Sequence, residues 1–178
     1  MTADLKHNLA ALPHIAKQFE ALAKAGQSPK PLLDDIAESL LISTQHRFEL
    51  ERDPKGNKWQ PLSWWTLFQR GGGRKGWHKK NRSKAKKGTM EKISGAKILR
   101  ASNRLFQSLT SVVTNSEIQL GSNVIYARIH QYGGQAGRGK KVTIPARPYL
   151  GISDNDSEMI DEAVAEYFAA RMPQEGAP

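Results

Sequence analysis

Apolar residues return along this chain at two kinds of spacing, and each predicts a different element. From Asp4 to Ala25, Leu5, Leu9, Leu12, Ile15 or Ala16, Phe19 and Leu22 recur at three- and four-residue steps. That is the period of one helix face, and Gly26 supplies a stop. Pro13 falls inside the pattern and predicts a kink or a break there. A second helix is expected to open at Ser28-Pro29-Lys30-Pro31, a capping serine with prolines in the first turn, where no ladder amide is lost. Its stripe runs through Leu33, Ile36, Ala37, Leu40, Thr44 and Phe48, with Asp34, Asp35 and Glu38 placed to favour its positive end. The turn Asp53-Pro54-Lys55-Gly56 ends it.

Further on, Ile98, Ser102, Leu105, Phe106 and Leu109 predict a helix over 97–109. The period then drops to two. Val112 with Thr114, and Ile118 with Leu120, predict two short strands around Asn115-Ser116. Tyr126, Ile129 and His130 suit a short helix stopped by Gly133-Gly134. Lys141-Val142-Thr143-Ile144 reads as a strand closed by Pro145 and Pro148, and Asn155 to Met172 as a last helix with an Asn155…Glu158 capping box. Its buried face is expected along Met159, Ile160, Ala163, Val164, Tyr167 and Phe168. The fold class is α+β: N-terminal helices, a small, mostly antiparallel β-sheet, and a C-terminal helix packed on the sheet. The expected organisation is a helical arm over 1–27, a single α+β domain over 28–172 and a disordered tail over 173–178. At 178 residues folding buries roughly 70% of the unfolded surface, so a core needs no staples.

Charge changes this picture at one place. The chain carries 27 basic and 17 acidic residues. Nine of the basic ones fall between positions 70 and 88 with no acid among them: Arg70, Arg74, Lys75, Lys79, Lys80, Arg82, Lys84, Lys86 and Lys87. Without these nine the remainder is nearly neutral. The segment follows Gly71-Gly72-Gly73 and holds little apolar material besides Trp77, so burial cannot offset its ordering entropy and a flexible loop is expected. Two readings stay open: a solvated segment ordered on assembly, or an arm contacting phosphates non-specifically, Trp77 adding occasional stacking. Trp59, Trp64 and Trp65 also divide two ways, between core packing and an exposed anchor in an interface.

Candidate chemistry is sparse. Gly134-Gln135-Ala136-Gly137-Arg138-Gly139-Lys140-Lys141 has phosphate-loop spacing, but a lysine stands where a Ser or Thr must ligate Mg²⁺. A strand and two prolines follow instead of a helix N-terminus, so a glycine-rich hairpin is expected. His7, His14, His46, His78 and His130 do not share metal-ligand spacing, and His130 is read as structural. The paired acids Asp34-Asp35, and Asp154 with Asp156, sit at helix starts where capping explains them. No nucleophile-elbow sequence occurs. The residues point to no enzyme, no cofactor and no metal. With no cysteine there is no disulfide framework. No apolar run approaches the ~20 residues that cross a bilayer, and Lys6, His7 and Lys17 interrupt any signal-like stretch. A soluble intracellular protein is the expectation.

Three stretches together resemble a known family. Asp53-Pro54-Lys55-Gly56-Asn57-Lys58-Trp59-Gln60-Pro61-Leu62, then Leu120-Gly121-Ser122-Asn123-Val124-Ile125-Tyr126-Ala127-Arg128-Ile129-His130-Gln131-Tyr132-Gly133-Gly134, then Ile144-Pro145-Ala146-Arg147-Pro148-Tyr149-Leu150-Gly151-Ile152 are similar in order and spacing to signatures of the phage virion morphogenesis, or tail completion, family of Mu-like phages and prophages. The resemblance covers 31–168. It implies a non-enzymatic virion component, assembled in the host bacterial cytoplasm and acting at the tail end or the head–tail joint. Its implied partners are other copies of itself in a ring, hexameric by the resemblance, around the DNA channel, and tail or connector proteins; no membrane is implied. The alternative is a non-specific nucleic-acid-binding protein that uses the basic loop. The signature residues expected to serve fold or interface are Trp59, Tyr126, His130, Gly133, Gly134, Pro145, Arg147 and Pro148. Arg147 between two prolines suits a planar contact to a carboxylate, on this chain or on a neighbour.

Overall fold

The computed structural model describes residues 3–7, 28–77 and 85–171. Its elements run β1 (Ala3–His7), α1 (Lys30–Leu50), α2 (Trp64–Arg70), a 3-10 turn (Gly73–Gly76), α3 (Lys87–Ser94), α4 (Arg104–Gln107), β2 (Leu109–Val113), β3 (Ile118–Ser122), α5 (Ala127–Tyr132), β4 (Gly134–Ala136), a second 3-10 turn (Arg138–Lys140), β5 (Val142–Ile144) and α6 (Asp154–Ala169). The α+β class holds, with two antiparallel sheets ordered β1-β3-β2 and β4-β5.

α1 organises the packing. At 21 residues it is about 30 Å long and reaches both hydrophobic clusters. Leu33, Ile36 and Leu40 join Ile118 of β3 and Ile160, Val164 and Phe168 of α6. Two turns further on, Phe48 enters a second cluster with Trp59, Leu105, Val124 and Tyr149. The predicted stripe is buried along its whole length, Thr44 included. Each such aliphatic or aromatic side chain contributes about 1.5–3 kcal/mol. The helix starts one residue later than expected. Pro29 occupies the N-cap position, Ser28 Oγ accepts the Lys30 amide at 3.3 Å, and Asp34 lies a turn in, paired with Lys30 at 2.8 Å. Glu51 takes a left-handed conformation, φ 54°, and the chain reverses through the 53–56 turn, closed by Asp53 accepting the Asn57 amide at 2.8 Å.

α1 and α6 are also tied electrostatically. Arg47 donates to Asp156 and to the carbonyls of Tyr149 and Gly151, at 3.1 and 2.8 Å. Asp156 in turn accepts the Ser153 amide at 2.7 Å while Ser153 Oγ accepts the Asp156 amide, which makes the capping box Ser153…Asp156. The expected Asn155…Glu158 box is therefore displaced by two residues. A serine hydroxyl reaches the N3 amide as an Asn would, and only this register aims Asp156 at Arg47.

Three further expectations change. The helix drawn from Asp4 does not begin there: Ala3–His7 pair residue for residue with Ser122–Ile118 of β3, covering an edge that would otherwise offer unpaired amides. The rest of that helix, 8–25, lies outside the described residues, as does 172–178. The 97–109 helix shrinks to Arg104–Gln107, because Leu99 and Asn103 adopt positive φ of 59° and 55° and the Ile98 amide is held by Glu51 Oε1 at 2.7 Å. Its stripe is nonetheless buried at Ile98, Leu105 and Leu109. The flexible loop over 70–88 is structured at both ends, through α2, the first 3-10 turn, an antiparallel bridge Trp77↔Ala85 and α3; positions 78–84 lie outside the described residues. Glycine makes this order possible. A Cβ on Gly76 would stand 2.1 Å from the Gly71 carbonyl oxygen, and into that approach Thr89 Oγ1 brings its proton, 2.8 Å from Gly76 O and 3.1 Å from Gly71 O.

The hairpin β2–β3 and the glycine-stopped helix α5 follow the sequence pattern. The phosphate-loop mimic is the β4–β5 hairpin, with Gly137 and Gly139 at φ 78° and 71°.

Candidate functional site

The three signature stretches, separated by up to some ninety positions in sequence, meet along one extended strap, 145–151. Several side chains hold the strap by addressing its backbone. Trp59 donates its indole proton to the Pro148 carbonyl at 2.8 Å and lies edge-on to Phe48, ring centroids 5.4 Å apart. Gln131, buried, accepts the Tyr149 and Leu150 amides at 2.9 and 3.0 Å and donates to the Leu150 carbonyl at 2.9 Å. Tyr149, with no exposed surface, donates its phenol to the Ala127 carbonyl at 3.3 Å, and burial pushes its pKa up beyond the usual phenol range. The Arg147 amide donates to His130 O at 2.7 Å. A strap with Pro145 and Pro148 cannot form a full ladder, so side chains supply its partners.

Arg147 behaves differently from the carboxylate contact expected of it. Its guanidinium donates to two carbonyls, Gln60 O at 2.9 Å and Pro61 O at 3.1 Å, so it staples the first signature to the third within the chain. The 59–62 segment is itself extended and proline-bearing, hence rich in free carbonyls, and a planar five-donor group fits two of them. Burial first, then the neighbouring Arg70, lowers the Arg147 pKa, with Glu51 acting in the opposite sense.

Gly133 and Gly134 turn the chain out of α5. Gly133 has φ 72°, and a Cβ there would meet the Ala146 nitrogen at 2.9 Å. Tyr126 and His130, one turn apart on the same helix face, contact edge-to-face at 5.8 Å. His130 Nδ1 is buried with no hydrogen-bond partner among the described residues. Burial and then the charge of Arg147 hold its pKa below 6.5, so the imidazole is kept neutral.

The tryptophans split. Trp59 and Trp77 are core, 4% and 6% exposed, whereas Trp64 and Trp65 are 62% and 65% exposed. Trp64 leans on Trp77 and Trp65 stacks on Phe68. Between this aromatic group, the 60–63 strap, α5 and β5 lies a cleft of about 600 Å³, its walls including Trp65, Arg70, Tyr126, His130, Pro145 and Arg147.

Of the nine basic residues, four have described side chains: Arg70, Arg74, Lys75 and Lys86. Arg70 faces the cleft and donates to Lys97 O at 2.7 Å. Arg74 and Lys75 ride exposed on the first 3-10 turn, where Lys86 Nζ donates to Lys75 O at 2.7 Å. Lys79, Lys80, Arg82 and Lys84 lie outside the described residues, and Lys87 is placed only by its backbone, at the start of α3. Among the described residues no group of three His, Cys, Asp or Glu side chains could hold a metal ion, and no helix is long and apolar enough to cross a membrane.

Gln131 and the Arg47–Asp156 pair carry much of this geometry and were not singled out from the sequence. Gln131 lies within the second signature, where a polar residue beside two glycines gave no sign of burial. Asp156 was visible only as a helix-start acid.

An α+β scaffold in which Arg47, Trp59, Gln131 and Arg147 fix an extended proline strap is the class defined by these contacts. The chain belongs to the phage virion morphogenesis family, whose sequence profile matches residues 11–169. It is 34% identical over 154 residues to the Mu-like prophage FluMu G protein 2 of Haemophilus influenzae, covering 86% of this chain and 88% of that protein. It is 29% identical over 142 residues to the "Putative capsid assembly protein G" of Escherichia phage Mu, covering 78% of this chain and 79% of that one. No solved structure matches it.

Proposed function

We propose that this chain is a non-enzymatic component of a tailed-phage particle that completes the tail or joins it to the head, as a homo-oligomeric ring around the DNA channel. The family match over residues 11–169 carries the reading. A phage Mu relative whose name refers to capsid assembly is consistent with a place near the head. The geometry adds two supports. The buried polar groups of the signature stretches mostly bond backbone and hold shape. The exposed Trp64 and Trp65 are of the type that dominates interface energetics. Assembly takes place in the host bacterial cytoplasm, with tail or connector proteins as partners.

Two measurements test it. Light scattering on the purified chain, alone and with co-expressed neck and tail proteins, is expected to show a closed multiple of the subunit mass. Protein analysis of purified particles is expected to find the chain in the mature virion. A strict monomer that is also missing from particles overturns the proposal.

The exposed Arg74 and Lys75 favour one addition, a basic turn facing DNA in the lumen or, as the second reading, binding nucleic acid outside any ring. Either contact weakens with salt at a log–log slope of about −0.9 per phosphate neutralised. Removal of Arg74–Lys87 that leaves assembly and infectivity intact rules out both.

A further inference from the structure

The cleft beside Trp65 has a chemical character that the scaffold does not use. No acidic residue lines it. At its back is the Arg147 guanidinium, in a residue only 6% exposed, and at its mouth Arg70. Both guanidiniums spend hydrogen bonds on neutral carbonyls. The carboxylate felt by both is Glu51, whose Oε1 is engaged by the Ile98 amide. Arg70 also borders a second, open depression of about 570 Å³ lined by Lys92, Lys97 and Arg100, again without an acid. Apolar residues, Leu62, Trp65, Val142 and Pro145 among them, alternate in the cleft walls with neutral polar ones such as Gln60, Ser63 and Thr143, and Val142 is half exposed at the rim.

We propose that this cleft is the docking site for an acidic segment of a partner protein, one carboxylate side chain entering between Arg70 and Arg147, its apolar neighbours lying on Trp65 and Val142, and further acids following the Lys92–Arg100 depression. Charge complementarity selects an anion, since buried or half-buried guanidiniums facing a cleft are matched best by planar, bidentate carboxylates. Depth selects protein over nucleic acid. A side-chain carboxylate on its stem can reach the recessed Arg147, whereas a phosphodiester, flanked by sugars on both sides, contacts groups at the surface. The apolar part of the walls, Leu62, Trp65, Val142 and Pro145, has no counterpart in a sugar–phosphate backbone and does have one in Leu- or Phe-flanked acids.

The choice of a protein partner rests on the assembly role proposed above. Binding is read on the isolated chain and particle formation in the infected cell, so the two ideas fail separately. The test uses full-length protein with ¹⁵N-labelled arginine, titrated with the peptide acetyl-Leu-Glu-Asp-Leu-amide, its isosteric Gln-Asn counterpart and oligothymidylate. Saturable shifts of the Arg70 and Arg147 Nε resonances by the acidic peptide are expected, with affinity at least about five-fold above the amide peptide, the scale of a charge-assisted bond. Arg70→Gln is expected to lower that affinity by a similar factor. Val142→Glu, which leaves both arginines in place and adds a like charge at the rim, is expected to do the same without altering the fold. Equal response to the two peptides, absence of saturation, affinity unmoved by Val142→Glu, or tighter binding of oligothymidylate at these two resonances each overturns the proposal.

Discussion

The Gln131 side chain serves Leu150 as a neighbouring strand would: its Oε1 accepts the Leu150 amide at 3.0 Å and its Nε2 donates to the Leu150 carbonyl at 2.9 Å. A third bond, from the Tyr149 amide at 2.9 Å, uses the second lone pair. Gln131→Leu keeps the volume and removes all three, leaving two buried donors and an acceptor without partners. A loss of about 3 kcal/mol is expected in urea unfolding, since each orphaned group costs about 1–3 kcal/mol and relaxation recovers part. Gln131→Glu is expected to be worse at neutral pH, where an oxygen opposes the Leu150 carbonyl. That excess narrows on acidification, as the protonated carboxyl regains a donor.

Gly151 has φ 151°, and a Cβ there would stand 2.6 Å from Pro54 Cγ. The first and third signatures thus touch at a place where no side chain fits. Gly151→Ala is expected to cost about 2 kcal/mol or more, from strain plus displacement of the Pro54 turn. Gly88→Ala is the control. Nothing lies within 4 Å of its added carbon, and it sits in α3, so it is expected to be neutral or stabilising by up to about 1 kcal/mol. Thermal melts of the two variants, side by side, check both.

Legibility follows from the range of the forces involved. The stripe Leu33–Phe48, the 118–122 strand and the α5 stop at Gly133 are set by local period and backbone freedom, and the sequence displays both. The segment 97–109 has a helical stripe as well, and its apolar residues are buried, yet Glu51 reaches across 47 positions to hold the Ile98 amide. No local pattern encodes that contact. The 70–77 segment misleads for the opposite reason. Glycines that read as flexibility are there because Gly71 and Gly76 touch, and Thr89, far along the chain, closes the contact. In the site, Trp59, Gly133 and Pro148 were visible as signature residues. The partners of Arg147 were not, since a carbonyl carries no mark in sequence.

The Arg47–Asp156 pair predicts an acid-side loss of stability. Burial alone raises the Asp156 carboxyl pKa. Hydrogen bonds from Ser43 and Ser153 and the charge of Arg47 outweigh it and hold the group below 3.8. A depressed folded value means the stabilisation is present above 3.8, the unfolded value, and disappears as pH falls through the lower folded one. Asp156→Asn is expected to remove this acid-side drop and to destabilise at neutral pH by about 3 kcal/mol or more, because Arg47 is left buried without its counter-ion. Melting temperature against pH for both proteins checks the two effects together.

His130 gives a second slope at higher pH. Its folded pKa lies below 6.5, first through burial and then through Arg147. Below pH 6.5 the unfolded chain therefore binds a proton that the folded chain resists, and stability falls as pH is lowered towards the folded value. His130→Gln is expected to flatten the profile in that interval. The His130 ring resonances, followed by NMR, are expected to titrate with a midpoint below 6.5.

Trp59 and Trp64–Trp65, five positions apart, predict opposite phenotypes. Trp59 is buried against Phe48 and supplies the strap with a hydrogen bond. Trp59→Phe keeps a ring but loses the donor to Pro148, and about 1–3 kcal/mol of stability should go with it. Trp64 and Trp65 are each more than 60% exposed, so folding recovers little from them, and Trp64→Ser with Trp65→Ser is expected to shift stability by about 1 kcal/mol or less. If those rings are subunit anchors, the same double change removes aromatic area where association energy concentrates. Oligomer mass by light scattering is then expected to fall towards the monomer while the melting temperature of the isolated chain stays in place. A double variant that assembles normally shows the rings to be surface without an assembly role.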